Sequence, residues 1–132
     1  MGSDGDAEVV VIEEEFEPVT ENVSRARQLV DRLPRAAAKF DDVRLIVSEL
    51  ASNAIRHART RFRVALRHFG DVVRVEVTDR SDGQPVVCQP ESTDPHGRGL
   101  FIVAALARRW GVEPEPGGKT IWAEVTLPAA VH

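Results

Sequence analysis

The sequence predicts an α+β fold, a two-layer α/β sandwich in which helices cover one face of a mixed, mostly antiparallel sheet. The predicted order of elements is strand, helix, helix, hairpin, loop, helix and final strand. Two segments in which every second residue is apolar flank a tight turn at Gly70-Asp71 and predict the hairpin. Strands joined directly in this way pair antiparallel, which favours an α+β class over a Rossmann-like parallel sheet.

The first predicted elements are a strand and a helix. Residues Ala7–Phe16 open with four consecutive β-branched residues, a composition typical of strands. Thr20 or Asn22 can cap a helix that runs to about Lys39. Pro34 should end or kink this helix because proline lacks the backbone N–H that the helix requires.

The second helix has the clearest pattern in the chain. It is predicted to begin at Asp41 and to end near Ala58, because apolar residues recur at helical spacing. The two hairpin strands follow, each with every second residue apolar. The residues that define these three elements are Val43, Ile46, Val47, Leu50 and Ala54 in the helix, Phe62, Val64 and Leu66 in the first strand, and Val73, Val75 and Val77 in the second.

The last third of the chain predicts a loop, a helix and a strand. Ser81–His96 is rich in Pro, Ser, Asp and Gln and is interpreted as a long loop, of the kind that forms lids. Apolar residues at helical spacing predict a helix over Gly99–Trp110, which Gly111 would stop. After a turn at Pro116–Gly118, the alternation of Ile121, Ala123, Val125 and Leu127 predicts the final strand.

The composition fits one globular domain and argues against several function classes. The chain has 132 residues, of which 42% are hydrophobic and 29% charged, and we expect a tail over residues 1–6 and one domain over residues 7–130. A net charge of −4 argues against direct binding of nucleic acid. The single cysteine, Cys88, fits a reducing compartment, and no apolar run predicts a membrane span or a signal peptide. We therefore expect a cytoplasmic protein without a membrane partner.

Three polar residues lie along the second helix at intervals of four: Glu49, Asn53 and His57. At about 100° per residue they form one row that borders the apolar face of the helix. One interpretation is a solvated helix edge. The other is a metal and phosphate site, since an amide oxygen suits Mg²⁺ and a nearby carboxylate can act as a base.

Two further segments contain residues suited to a ligand. Asp79 ends a predicted strand, and the turn after it includes Ser81 and Gly83, so its carboxylate could accept a hydrogen bond from an amino group such as that of adenine. A simple Asp/Gly turn explains the same residues. Gly97-Arg98-Gly99-Leu100 precedes a helix and could offer backbone amides to an anion, although a flexible hinge is an equally good explanation.

Together and in this order, these segments resemble the motifs of the GHKL, or Bergerat-fold, superfamily of ATPases and kinases. Glu49-x-x-x-Asn53-Ala54-x-x-His57-Ala58 is similar to its N box, and Asp79-x-Ser81-x-Gly83 to its first glycine box. Gly97-Arg98-Gly99-Leu100 resembles the second glycine box, and Gly118-Lys119-Thr120 the final Gly-x-Thr element. The resemblance extends from about Phe16 to Leu127.

The resemblance implies roles for these residues around bound ATP. Asn53 would ligate Mg²⁺, Glu49 would be the general base, and Asp79 would bind the adenine amino group with Thr120 assisting through a water. The remaining implied cofactor-binding residues are His57, Gly83, Gly97, Arg98, Gly99 and Leu100. Gln84–His96 would form the lid. Ser81 departs from the usual Asp-x-Gly-x-Gly pattern, which makes close approach of the backbone to the nucleotide less easy and points to weak ATP binding.

Within the superfamily, this short form resembles the RsbW and SpoIIAB group of anti-sigma-factor serine/threonine kinases. That resemblance implies a homodimer that phosphorylates an anti-anti-sigma (STAS-type) partner and sequesters a sigma factor. Two alternatives stay open. One is a catalytically weak ATP-binding regulatory module that acts by partner binding without kinase turnover, and the other is a degenerate scaffold that binds no nucleotide.

Overall fold

A computed structural model describes residues 10–33, 40–81 and 99–127 of the chain. These residues form one five-stranded antiparallel sheet and three α-helices, which is the α+β architecture that the sequence predicts. The elements in chain order are β1 (Val10–Phe16), α1 (Glu21–Gln28), α2 (Phe40–Asn53), β2 (Phe62–Phe69), β3 (Val72–Asp79), α3 (Gly99–Leu106), β4 (Arg109–Glu115) and β5 (Gly118–Thr126).

The sheet has the strand order β1-β2-β3-β5-β4, and every pair of neighbours is antiparallel. The predicted hairpin is confirmed, with Phe62 opposite Asp79 at its open end and Phe69 opposite Val72 at its turn. Gly70 sits in that turn at φ +58°, a left-handed conformation that glycine adopts without strain. Because β5 pairs with β3, it brings the C-terminal part of the chain beside the hairpin.

Alternate residues of the strands pack against the helices and form the core. The inward residues of β2, β3 and β5 are almost all apolar and are less than a tenth exposed. The second helix supplies most of the other side of this core, and it contacts both α1 and α3. The fully buried residues include Ile46, Leu50, Phe62, Leu66, Val75 and Val77. Since successive strand residues point to opposite faces, each strand also presents a second set of side chains on the other side.

The first helix is shorter than the predicted one. α1 ends at Gln28 and continues as a 3₁₀ turn over Leu29–Arg32, and Leu33 is already extended with ψ 143°. The residue before a proline disfavours the helical region, so Pro34 explains why the helix stops here. The predicted continuation to Lys39 falls on residues 34–39, outside the described residues.

The prediction of a helix through Trp110 is wrong. The helix α3 ends at Leu106, and Trp110 and Gly111 belong to the strand β4, which pairs with β5. Trp110 and Val112 are partly buried against the core, while Arg109 is exposed. Pro114 fits this strand because β4 lies at the edge of the sheet, where a missing N–H breaks no ladder.

The face of the sheet away from the helices holds a charged network, which we call the open-face network. Its centre is the buried Glu124 carboxylate, which accepts hydrogen bonds from Arg109 at 3.1 Å and Arg74 at 3.2 Å. The Arg74 guanidinium also lies 4.2 Å from the Trp122 ring centroid and 2.8 Å from Glu76. Burial alone would raise the pKa of Glu124, but the hydrogen bonds from Arg109 and Arg74 outweigh it and lower the pKa.

In the described ranges, no helix is long and apolar enough to cross a membrane.

Candidate functional site

The polar row on α2 lies at the border of the buried face. Glu49 and Asn53 are both half-buried, whereas their neighbours Leu50 and Ala54 are buried in the core. This position agrees with the one predicted from helical spacing. It leaves a carboxylate and an amide reachable from outside while their backbone is fixed by the core.

The end of this helix departs from α-helical geometry. Residues Ala54–Ala58 form a π-helical turn, closed by a 2.9 Å hydrogen bond from the Arg59 N–H to the Ala54 carbonyl. Arg59 then takes a left-handed conformation at φ 58°. A π turn contains more residues than an α turn, so His57 rotates less far around the axis than simple α-helical spacing predicts. His57 is exposed, unlike the two other members of the row.

Chain connectivity places this end of the helix next to Asp79. Only residues 59–61 separate the π turn from β2, and Phe62, the first residue of β2, is the partner of Asp79. The Arg80 N–H donates to the Thr60 hydroxyl at 3.0 Å, and the π turn packs against β3. The N-box helix and the end of β3 are therefore two sides of one region.

Asp79 is buried at the end of β3 and is held in what we call the Asp79 cluster, formed by Asp79, Ser81 and Lys119. The Ser81 N–H donates to Asp79 Oδ1 at 2.9 Å. The Lys119 ammonium lies 2.9 Å from Asp79 Oδ2 and 3.2 Å from Oδ1, and it donates to Ser81 Oγ at 2.8 Å. The carboxylate predicted to meet a ligand is thus already paired with a cation of the same chain.

Sequence reasoning missed Lys119, although a signal for it was present. Lys119 precedes Ile121, Ala123 and Val125 at strand spacing, so alternation alone puts it on the face that carries the core. The register confirms this, since Lys119 pairs with Asp79 across β3 and β5.

Gly118 allows the two strands to approach at this point. A Cβ atom on Gly118 would overlap the Asp79 carbonyl oxygen and would come within 3.0 Å of Arg80 Cα. Since both are backbone atoms that cannot rotate away, a larger residue here would push β5 away from β3. The glycine thereby sets the position of Lys119 against Asp79.

The structure places Thr120 on the opposite face of the sheet from Asp79. Its hydroxyl is 2.7 Å from that of Thr78 and donates to Glu115 at 2.7 Å, on the side of the open-face network. The role of Thr120 in adenine binding stays a prediction. In this geometry Lys119 is the β5 residue that reaches the carboxylate.

The second glycine motif is described only from Gly99 onward. Gly99 starts α3, and Leu100 is buried where α3 packs on α2. This contact links the start of α3 to the helix that carries Asn53. Gly83, Gly97, Arg98, the lid predicted over Gln84–His96, and Cys88 lie outside the described residues.

Metal ligation by this region would depend on few protein groups. Among the residues described here, no three His, Cys, Asp or Glu side chains form a group that could hold a metal ion. A Mg²⁺ ion that keeps waters and binds phosphate oxygens needs only one or two protein ligands, so the half-buried Asn53 amide is compatible with it.

A comparison with protein families identifies the domain. Residues 14–125 match the family model described as the histidine kinase-like ATPase domain. The chain belongs to this family. The matched span contains both sides of the site, Glu49 and Asn53 on α2 and the Asp79 cluster at the strand ends.

Solved structures of other proteins share the fold of this chain. Solved structures similar to this chain include that of the RsbU and RsbW domains of Rv1364c from Mycobacterium tuberculosis, with a TM-score of 0.62 and 20% identity. The alignment covers 89% of this chain and 32% of that one, so this chain spans about a third of its length. At this identity the similarity extends to the fold alone. No curated protein matches the chain.

Proposed function

We propose that this domain binds Mg-ATP and acts as an anti-sigma-factor-type serine/threonine kinase. It would transfer the γ-phosphoryl group to a STAS-type anti-anti-sigma protein and sequester a sigma factor. One observation carries the proposal: Glu49 and Asn53 are half-buried on a helix whose end lies beside the buried Asp79, in a histidine kinase-like ATPase domain.

The nucleotide would be held from several sides. Asp79 would accept a hydrogen bond from the adenine amino group, and Asn53 would ligate the Mg²⁺ that neutralises charge on the phosphates. The backbone amides of the second glycine motif would contact the phosphates at the start of α3, where the helix dipole favours negative charge. That motif consists of Gly97, Arg98, Gly99 and Leu100, and the remaining contacts are assigned to His57, Gly83 and Thr120.

Glu49 would be the base for transfer. It lies one helical turn before Asn53 and is half-exposed, so an acceptor hydroxyl can approach it from outside the core. Phosphoryl transfer depends mainly on positioning and on charge stabilisation, with one group that receives the hydroxyl proton. Among the motif carboxylates, Asp79 is buried and paired with Lys119, which leaves Glu49 for this role.

The proposed partners follow from the group of kinases that the motifs resemble. The structure from Mycobacterium tuberculosis supports them, because it contains an RsbW domain and this chain shares its fold. The same proposal includes a homodimer. Its assembly can be checked by sedimentation of the purified chain.

A second candidate function is an ATP-binding regulatory module without kinase turnover. The pairing of Asp79 with Lys119 favours it, since the carboxylate must release the Lys119 ammonium before it can accept a hydrogen bond from the nucleobase. Such a domain would sequester its partner and use ATP as a ligand that alters binding.

The test is transfer of label from [γ-³²P]ATP to a panel of purified STAS-domain proteins. Wild type should label one of them, and Glu49→Ala should bind ATP with unchanged affinity but lose transfer by at least about 100-fold. Asp41→Ala removes an exposed carboxylate at the start of the same helix and should behave as wild type. Transfer retained by Glu49→Ala would refute the assignment of the base, and ATP binding without any transfer would favour the second candidate.

A further inference from the structure

The Asp79 carboxylate is closed to an incoming base by a neighbouring side chain. Only 3% of the Asp79 side chain and 9% of the Lys119 side chain are exposed. The ammonium contacts both carboxylate oxygens, at 2.9 and 3.2 Å. A nucleobase therefore cannot reach the carboxylate in this arrangement unless the ammonium moves.

Contacts to described residues use all the donors of the ammonium. A lysine ammonium offers three N–H groups, and within residues 10–33, 40–81 and 99–127 it contacts three acceptor atoms, the two Asp79 oxygens and Ser81 Oγ. Ser81, which replaces the first glycine of the usual motif, thus supplies one of the three acceptors. The departure from the motif pattern at Ser81 therefore acts on the ion pair between Asp79 and Lys119.

The charge of the pair also changes what the site can discriminate. A free carboxylate attracts the amino group of adenine and repels the carbonyl oxygen of guanine. Asp79 and Lys119 together carry no net charge, and a displaced ammonium would lie beside the base edge, where a carbonyl oxygen is a good acceptor.

We propose that Lys119 locks the Asp79 carboxylate and thereby sets both the affinity and the base preference of this site. The inference rests on the proposed function, in which Asp79 meets the nucleobase. ATP binds only by displacing the ammonium from the carboxylate, and this competition lowers its affinity. The displaced ammonium also lowers the ratio of the affinity for ATP to the affinity for GTP.

The test is calorimetric titration of Lys119→Met and wild type with ATP and with GTP, both with Mg²⁺. Methionine keeps the length of the side chain but cannot pair with the carboxylate. Lys119→Met should bind ATP about tenfold more tightly than wild type and gain less for GTP, because the competing charge-assisted bonds are gone. An increase in ATP affinity is diagnostic, since loss of a positive charge by itself weakens binding of an anionic nucleotide.

Two further variants keep the result interpretable. Arg32→Met removes an exposed positive charge near β1, three strands from β5, and should bind ATP no more tightly than wild type. Ser81→Ala removes only the third acceptor of the ammonium and leaves the ion pair intact. It should tighten ATP binding by about threefold, and it tests the proposal even if Lys119→Met does not fold.

The outcomes separate this inference from the proposed function. Unchanged or weaker ATP binding in the folded Lys119→Met and Ser81→Ala variants, beside a wild type that binds ATP, would overturn the lock and leave the proposed function in place. Absence of binding in every variant would overturn both. ATP binding by Lys119→Met without ATP binding by wild type would support the proposed competition between the ammonium and the nucleotide.

Discussion

Two buried ion clusters lie on opposite faces of the same strands, and their construction differs. In the open-face network, the Glu124 carboxylate is shared by Arg74 and Arg109, and both guanidinium groups lie over the Trp122 ring. In the Asp79 cluster, one carboxylate faces one ammonium, next to Gly118 at the start of β5. Within the described residues, Asp79 has one cationic partner that a ligand could replace, whereas Glu124 would have to lose two.

The comparison shows that burial of a charge does not by itself mark a binding site. Glu124 and Asp79 are exposed to nearly the same small extent, 6% and 4%. Only Asp79 lies next to the helix that carries the polar row, and only Asp79 has a partner that one amino group could displace. We therefore propose that the open-face network stabilises the sheet and that the Asp79 cluster is the one that binds the ligand.

The largest expected effect comes from Gly118→Ala. The added Cβ would overlap the Asp79 carbonyl oxygen, so β3 and β5 must separate at the end where the Asp79 cluster lies. We expect a loss of about 3 kcal/mol in the free energy of unfolding, measured by urea titration. Gly70→Ala is the control, because its Cβ meets nothing within 4 Å and only its positive φ of +58° is unfavourable, at about 1 kcal/mol. Equal losses in the two variants would contradict the close approach.

The second prediction concerns Glu124→Gln, which removes the charge at the centre of the open-face network. We expect a loss of about 2 kcal/mol in the free energy of unfolding at pH 7, because Arg74 is left with fewer partners in a half-buried position. ATP binding should be unaffected. A change in ATP affinity without a change in stability would reverse the assignment of the two clusters.

The stability of wild type should also depend on pH through Glu124. Folding lowers the pKa of this carboxyl, so its contribution is fully present above the ordinary value of 4.5 and is lost as the pH falls through the folded-state pKa. Thermal unfolding from pH 7 to pH 3 should show wild type approaching Glu124→Gln at the acid end. A constant difference between the two proteins over this range would disprove the role of the carboxylate charge.

The fourth prediction is that Asp79→Asn weakens nucleotide binding. An amide still accepts a hydrogen bond but lacks the charge that attracts an amino group, so ATP should bind about tenfold more weakly and GTP should lose less. Competition between the two nucleotides for a fluorescent ATP analogue measures this. Equal losses for both would contradict a role of Asp79 in base recognition.

The smallest effect is expected for Arg61→Ala. Arg61 pairs with Glu15 at 3.3 Å and Glu17 at 2.8 Å, but all three side chains are more than 40% exposed. Such pairs contribute less than about 0.5 kcal/mol, so the urea midpoint should barely move. A loss comparable to that of Glu124→Gln would show that exposed pairs stabilise this sheet as much as the buried network does.

The fold was largely predictable because strong periodic patterns define most of its elements. The α2 helix and the hairpin follow directly from apolar spacing, and the position of Glu49 and Asn53 follows from the helix. β4 was missed because Leu100, Val103, Ala107 and Trp110 happen to continue a helical spacing. Pairing with β5, which the local sequence does not reveal, decides that Trp110 is in a strand.

The candidate site was predictable in its parts but not in its pairing. Motif positions indicated Asp79 and the N box, while the partner of Asp79 depends on the register between β3 and β5. A shift of one residue would have placed Thr120 rather than Lys119 beside the carboxylate. The π turn was also unpredictable, since Ala54–Ala58 fits an ordinary α-helix in sequence.

The central claim is that the α2 row and Asp79 form one Mg-ATP site, and calorimetric titration with ATP, with and without Mg²⁺, tests it most directly. Wild type should bind ATP in a Mg²⁺-dependent manner, and Asn53→Ala should lose that dependence, while Ser52→Ala on the same turn should retain it. Mg²⁺-dependent binding that survives Asn53→Ala, or no binding at millimolar ATP by either wild type or Lys119→Met, would contradict the account.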